Sequence, residues 1–230
     1  MSHIPPFRGA IITGASRGLG AAFARALAAD GTRVLLVGRH KPALDIVVEQ
    51  IRAAGGEAHA FAADIADKHQ THALAAAAEA QVGPVDLLIH NASTLGPLPL
   101  RPLVELSCED LAAVLETNLI GPFRLTKVIA GSMALRGRGT VLHISSDAAV
   151  NAYPGWGAYG VSKAAQDHLA RSFAADFGET NVRFLSVDPG EMDTRMHDDA
   201  MPGLSDADRA ALGRPDEVAR RILASLREAS

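Results

Sequence analysis

Tyr159 and Lys163 stand four residues apart in the segment Tyr-Gly-Val-Ser-Lys, and twelve residues separate that tyrosine from Ser146 in Ile-Ser-Ser-Asp. At the start of a helix this i, i+4 spacing puts phenol and ammonium on one face. An ammonium in that position favours phenolate and is expected to lower the tyrosine pKa from its usual value of about 10. A tyrosine tuned in this way can serve as an acid near neutral pH. A second group of residues has the chemistry of a phosphate site. Thr13-Gly-Ala-Ser-Arg-Gly-Leu-Gly20 follows an apolar run and opens a segment of helical period. Glycines there let backbone N–H groups approach a pyrophosphate at the positive end of a helix. The spacing is Gly-x-x-x-Gly-x-Gly, with Gly14, Gly18 and Gly20 in place of the Gly-x-Gly-x-x-Gly pattern.

A dinucleotide fold normally places an acid about 20 residues beyond such a turn, to hold a ribose 2′-hydroxyl. Here the second apolar run ends in Val37-Gly38-Arg39 and carries no acid. Arg39, together with Arg17 inside the turn, can clamp a 2′-phosphate through charge-assisted hydrogen bonds. NADP(H) is therefore expected over NAD.

These residues need a scaffold that brings strand ends and helix starts together. Short aliphatic runs at Gly9–Thr13, Arg33–Val37, Glu57–Ala62, Val85–His90, Thr140–Ser145 and Val182–Val187 alternate with helical segments. The helices are expected at Gly18–Ala29, Pro42–Ala54, His69–Val82, Cys108–Leu135, Tyr159–Phe177 and Asp216–Glu228. Strands buried on both faces, alternating with helices, imply an α/β fold, a doubly wound parallel sheet in three αβα layers. Ser107, with Asp110 three residues on, reads as an N-cap and puts Asn118 inside a helix. The stretch from Gly190 to Gly213 has no sustained period and reads as a mobile substrate flap at about residues 190–213.

The 230 residues, 48% apolar and 21% charged, fit one domain spanning 1–230 that folds without disulfides or a structural metal. The single cysteine, Cys108, gives no intrachain bridge and no Cys-x-x-Cys, so a reducing, cytoplasmic setting is the default. A formal charge of −4 and 4% aromatic residues argue against nucleic acid as a partner. Met1–Arg8 has no apolar stretch of signal-peptide length, and no membrane partner is expected. His69 and His72 lie one helical turn apart without a third ligand nearby, so no metal is expected.

Taken together, these motifs make the chain similar to the short-chain dehydrogenase/reductase family, in order and over nearly its whole length. Thr13 to Gly20 resembles that family's glycine motif, with Ser16 and Leu19 among its cofactor contacts. Asp64-Ile65 resembles its adenine-binding pair, and His90-Asn91-Ala92-Ser93 its Asn-Asn-Ala-Gly. Asn118, Ser146, Tyr159 and Lys163 fall at its catalytic positions. Pro189, Gly190, Met192 and Thr194 fall where its members meet the nicotinamide. The resemblance implies hydride transfer between nicotinamide and a carbonyl or alcohol. It assigns Tyr159 as general acid and Ser146 to the carbonyl oxygen. Lys163 would hold the ribose and depress the tyrosine pKa, and Asn118 would anchor a relay water. Ala148, Tyr153 and Trp156 would line an apolar substrate pocket, made adaptable by Met192 and Met196 on the flap.

Two departures stand out, His90 and Ser93 in place of an asparagine and a glycine. His90 is expected to be structural. The usual seventh strand is expected to be absent, which leaves a homodimer through the two long helices. The expected function is an NADP(H)-dependent carbonyl reductase. The alternatives are a non-catalytic NADP(H)-binding redox sensor, which would need none of Ser146, Tyr159 and Lys163, and a Ser146 hydrolase, for which no Gly-x-Ser-x-Gly elbow exists.

Overall fold

The computed structural model describes residues 7–228. Met1–Pro6, most of the segment read as lacking a leader, and Ala229–Ser230 lie outside the described residues. Six strands form one parallel sheet: β1 (Gly9–Thr13), β2 (Arg33–Gly38), β3 (Ala58–Ala62), β4 (Val85–His90), β5 (Gly139–Ile144) and β6 (Val182–Val187). Their order is β3-β2-β1-β4-β5-β6, with every pairing parallel. This is the Rossmann-like doubly wound arrangement, and its chain reversal falls between β1 and β4, the crevice where such sheets take ligands.

Alternation along the strands separates two cores. Ala10 and Ile12 on β1, Val34 and Leu36 on β2, and Leu87 and Ile89 on β4 point to one face. There they meet helices α1 (Gly18–Ala29) and α2 (Lys41–Ala53) and the last helix of the chain. Ile11, Leu35, Val37 and Leu88 point to the other face and meet α3 (Thr71–Val82) and the helices that follow β4 and β5. Successive residues of a strand face opposite sides, so near-continuous aliphatic runs are what a sheet covered on both faces requires.

The predicted helix Cys108–Leu135 is not continuous. It divides into α4 (Cys108–Leu115), a π turn (Glu116–Ile120) and α5 (Gly121–Leu135). Pro122 has no N–H for the Asn118 carbonyl four residues before it, and the Gly121 N–H reaches back five residues to Glu116. Ser107 caps α4, its hydroxyl accepting from the Asp110 N–H at 3.0 Å, as its sequence position implied.

The 20-residue α6 (Gly157–Asp176) follows β5. The segment 190–213, read as a flap, is more regular than its sequence suggested. It holds α7 (Arg195–Ala200) and α8 (Asp206–Ala211), N-capped by Thr194 and Ser205. Each is only six residues long, too short to show a hydrophobic period. Arg209 on α8 ties the flap together, donating to Asp193 at 2.7 Å and Asp198 at 2.6 Å. A bridge between Met192 and Gly213 closes its base before α9 (Pro215–Glu228) packs on α1. No helix among the described residues is long and apolar enough to cross a membrane.

Candidate active site

The carboxyl ends of the strands open into a cleft of about 1230 Å³, larger than the roughly 300–1,000 Å³ of a typical one-ligand pocket. Its floor at the β1 end is made of backbone. Gly14 and Gly18 have φ of 66° and 54°, the left-handed region that favours glycine. A Cβ at Gly20 would collide with the Gly14 carbonyl oxygen and with Asn91 Nδ2, so the turn closes only around glycine. Asn91 holds it from the β4 side, its Nδ2 donating to the carbonyls of Thr13 and Gly14, both at 3.1 Å. The Thr13 hydroxyl accepts from the N–H groups of Asn91 and Ala92 and donates to the Ile89 carbonyl.

Arg17, the N-cap of α1, offers no side-chain acceptor, and the first turn of α1 holds no acid. The first N–H groups of α1 are therefore available to an anion, as a bound pyrophosphate would need. Arg17 and Arg39 are both exposed and both line the cleft, with no acid at the end of β2 beside them. Asp64 and Ile65 line it on the β3 side, and Asp64 Oδ1 accepts from the Ala66 N–H at 3.0 Å. The glycine cradle, the free helix end and the two arginines fit a phosphorylated dinucleotide.

The reactive side chains meet where β5 ends and α6 begins. Ser146 caps the 3-10 turn at Asp147–Ala149 through the Ala148 N–H at 3.2 Å, which fixes its hydroxyl beside Tyr159. Tyr159 is buried, and burial pushes its phenol up to about 12, with the contact to Ser146 pulling it down and the Asp188 and Asp147 carboxylates pushing it further up. This corrects the expectation of a phenol lowered by Lys163. The Lys163 ammonium donates to the Ile144 carbonyl at 2.6 Å and to Gln166 Oε1 at 3.3 Å, 5.5 Å from the centre of the tyrosine ring. Only 2% exposed, Lys163 is itself pushed down to about 8 by desolvation, against the pull of Asp167. The phenol therefore keeps its proton at neutral pH beside a lysine pushed down to within about one unit of neutrality.

Asn118 is fully buried in the π turn. Its Nδ2 donates to the Thr94 carbonyl and to Ser162 Oγ, both at 2.9 Å, and its Oδ1 accepts from the Thr94 N–H at 2.8 Å. Both amide hydrogens are spent, so an anchored water would rest on the Asn118 carbonyl, which Pro122 leaves without its usual donor. Gly20, Asn118 and Ala148 do not line the cleft but support the residues that do, Ala148 from its place behind Tyr159 and Leu95. The other candidates read from the sequence line it: Gly14, Ser16, Arg17, Gly18, Leu19, Arg39, Asp64, Ile65, Asn91, Ala92, Ser146, Tyr153, Trp156, Tyr159, Lys163, Pro189, Gly190, Met192 and Thr194.

His90 lies under the cleft rather than in it. It is stacked on His143 with ring centroids 4.7 Å apart and bonded to Thr126 Oγ1 at 2.8 Å. Burial pushes both imidazoles down, His143 to about 3, with the Lys163 charge adding to it. Both rings are therefore neutral spacers between the sheet and α5. Asp110, Ala113, Val114 and Thr117 line the cleft without having been singled out in the sequence. Their spacing along α4 and into the π turn is that of one helical face, which was the available signal. Asp147, Arg195 and His197 also escaped notice. Asp147 adjoins Ser146, whereas the other two sit on a helix too short to be recognised.

The profile of the family described as short chain dehydrogenase matches residues 8–204. The 7alpha-hydroxysteroid dehydrogenase of Escherichia coli (strain K12) is 36% identical over 181 residues, 79% of this chain and 69% of that one. A metagenomic short-chain oxidoreductase solved in complex with NADP superposes with a TM-score of 0.80 at 32% identity, covering 94% of this chain and 88% of its own. NAD+-bound xylitol dehydrogenase superposes with a TM-score of 0.76 at 29% identity, covering 80% and 70%. Those relatives are named for a steroid and a sugar alcohol and hold different nucleotides, so what they share with this chain is the scaffold. On its sequence, its sheet order and the geometry of Ser146, Tyr159 and Lys163, this chain belongs to the short-chain dehydrogenase/reductase family of oxidoreductases.

Proposed function

We propose that the protein is an NADP(H)-dependent carbonyl reductase, working within one domain over residues 1–230 and using residues 190–213 as its substrate flap. The observation that carries this reading is the buried Tyr159 phenol, set beside Ser146 at the end of β5 and backed by Lys163 one helical turn on. When bound, the nicotinamide supplies the hydride that the carbonyl carbon accepts. The chain's own residues do the rest. Ser146 holds the substrate oxygen, and Tyr159 Oη gives that oxygen its proton as negative charge builds up. A phenol with a pKa near 12 keeps its proton at neutral pH but is a weaker acid than free tyrosine, so it gives that proton up only to an oxygen that is becoming an alkoxide. Lys163 takes up the ribose hydroxyls and returns a proton to Tyr159, drawing on water at the Asn118 carbonyl.

Arg17 and Arg39 support NADP(H) over NAD, because both line the cleft and β2 ends without the acid that would hold a 2′-hydroxyl. The protein is further read as a cytoplasmic homodimer paired through α5 and α6, which leave Leu135 and Val161 exposed at 92% and 50%. Light scattering tests this, and a tetramer at working concentration contradicts it. The function itself is tested by following NADPH oxidation against a panel of aldehydes, ketones and diketones. Turnover of one class that is lost in Tyr159→Phe is the expected result. Binding of NADPH without turnover of any class favours the redox-sensor alternative.

A further inference from the structure

The substrate half of the cleft carries a carboxylate that proton donation does not require. Asp147 follows Ser146 directly and has both oxygens engaged. Its Oδ1 accepts from the Ser146 hydroxyl at 3.1 Å and its Oδ2 from the Tyr153 phenol at 2.6 Å. The hydrogen bond to Asp147, followed by burial and the Asp147 charge, pushes the Tyr153 phenol up, and Glu191 adds to it, which places a second carboxylate at the same end.

Aromatic rings connect this acid to the reacting group. Tyr153 meets Trp156 edge-on with centroids 6.4 Å apart, and Trp156 meets Tyr159 in the same way at 5.8 Å. Trp156, Leu100 and Met196 pack around Tyr159 and Leu95. The result is an aromatic and aliphatic wall from the proton donor to the cleft mouth, with negative charge along one side. Cations that line the cleft do not offset that charge. Arg17 and Arg39 stand at the ends of β1 and β2, Lys163 lies behind Tyr159 and donates to the Ile144 carbonyl, and Arg195 faces Asp199 at 3.9 Å.

We infer that the site selects uncharged aryl ketones and that Asp147 rejects analogues carrying a carboxylate next to the carbonyl. This inference rests on the carbonyl-reductase reading above. A ketone oxygen held by Ser146 brings the group on its carbonyl carbon alongside Asp147. An aromatic ring on the other side packs edge-to-face on Trp156. A carboxylate in that position meets a like charge at the exposed mouth of the cleft, and the repulsion is selective because a neutral ester of the same skeleton escapes it.

Trp156 is the sole tryptophan, so its fluorescence reports occupancy of this wall without turnover. The experiment titrates methyl benzoylformate and benzoylformate into the protein saturated with NADP and follows quenching of Trp156. It also measures kcat/KM for both compounds with NADPH. The ester is expected to bind about 30-fold more tightly than the anion, with Asp147→Asn narrowing that ratio about ten-fold. Raised salt narrows the same ratio in the unaltered protein. Equal affinity for the two compounds, or a ratio that neither Asp147→Asn nor salt changes, overturns the inference. Selective binding of the ester without its reduction removes the reductase reading while the selectivity stands.

Discussion

Lys163 gives a prediction whose size follows from its surroundings. In the unfolded chain its ammonium has the ordinary pKa of 10.5, and in the folded protein desolvation brings it to about 8. Between these values the unfolded chain binds more protons than the folded one, so stability climbs as pH rises. Below about 8 both states are protonated and the folded state bears the cost of a buried charge. Lys163→Met removes the titrating group at nearly constant volume. Relative to that variant, the wild-type protein should gain about 2–3 kcal/mol of unfolding free energy between pH 7 and 10. Tyr159, raised to about 12, acts with the opposite sign, but only above pH 10, and it is present in both proteins. Urea unfolding followed by circular dichroism at intervals across this window measures the difference. Parallel curves would show that Lys163 keeps an ordinary pKa when folded, and would refute the claim that it can pass a proton near neutrality.

Two further changes probe the cofactor end. Arg39→Ala should weaken NADPH more than NADH, by about 1.5–3 kcal/mol for the loss of a charged hydrogen bond, as read by isothermal titration with each nucleotide. An equal loss for both nucleotides contradicts the 2′-phosphate assignment. Gly20→Ala forces a Cβ against the Gly14 carbonyl and Asn91, and should cost about 1–3 kcal/mol of stability together with nucleotide binding. Unfolding and binding measurements on the same sample check both losses, and binding at wild-type strength would mean that the turn is not the cradle.

The parts of the fold legible in sequence are those governed by regular periods. Six aliphatic runs became six strands, with ends moved by a residue or so, because parallel strands buried on both faces have nothing to hide among polar positions. The glycine turn was legible through its steric demand, since only glycine fits at Gly14 and Gly20. What escaped depends on contacts between distant segments or on very short elements. The π turn at Asn118 comes from Pro122 meeting a helix whose apolar pattern runs on past it. The helices α7 and α8 are single turns held by the Arg209 pairs with Asp193 and Asp198, which no local pattern announces. The tyrosine pKa was misread because spacing shows that Lys163 shares a face with Tyr159, but not that its ammonium is turned to the Ile144 carbonyl while burial governs the phenol.

The central claim is that Tyr159 completes a reduction in which the nicotinamide delivers hydride to a carbonyl carbon. Its most direct test is a single turnover with NADPH deuterated at C4, each face in turn, with mass analysis of the alcohol formed. Deuterium on the carbinol carbon from one face only is the predicted result. In parallel, Tyr159→Phe should form no alcohol while binding NADPH as the wild-type protein does. Alcohol formation by Tyr159→Phe at the wild-type rate, or product without deuterium from either face, would contradict the account.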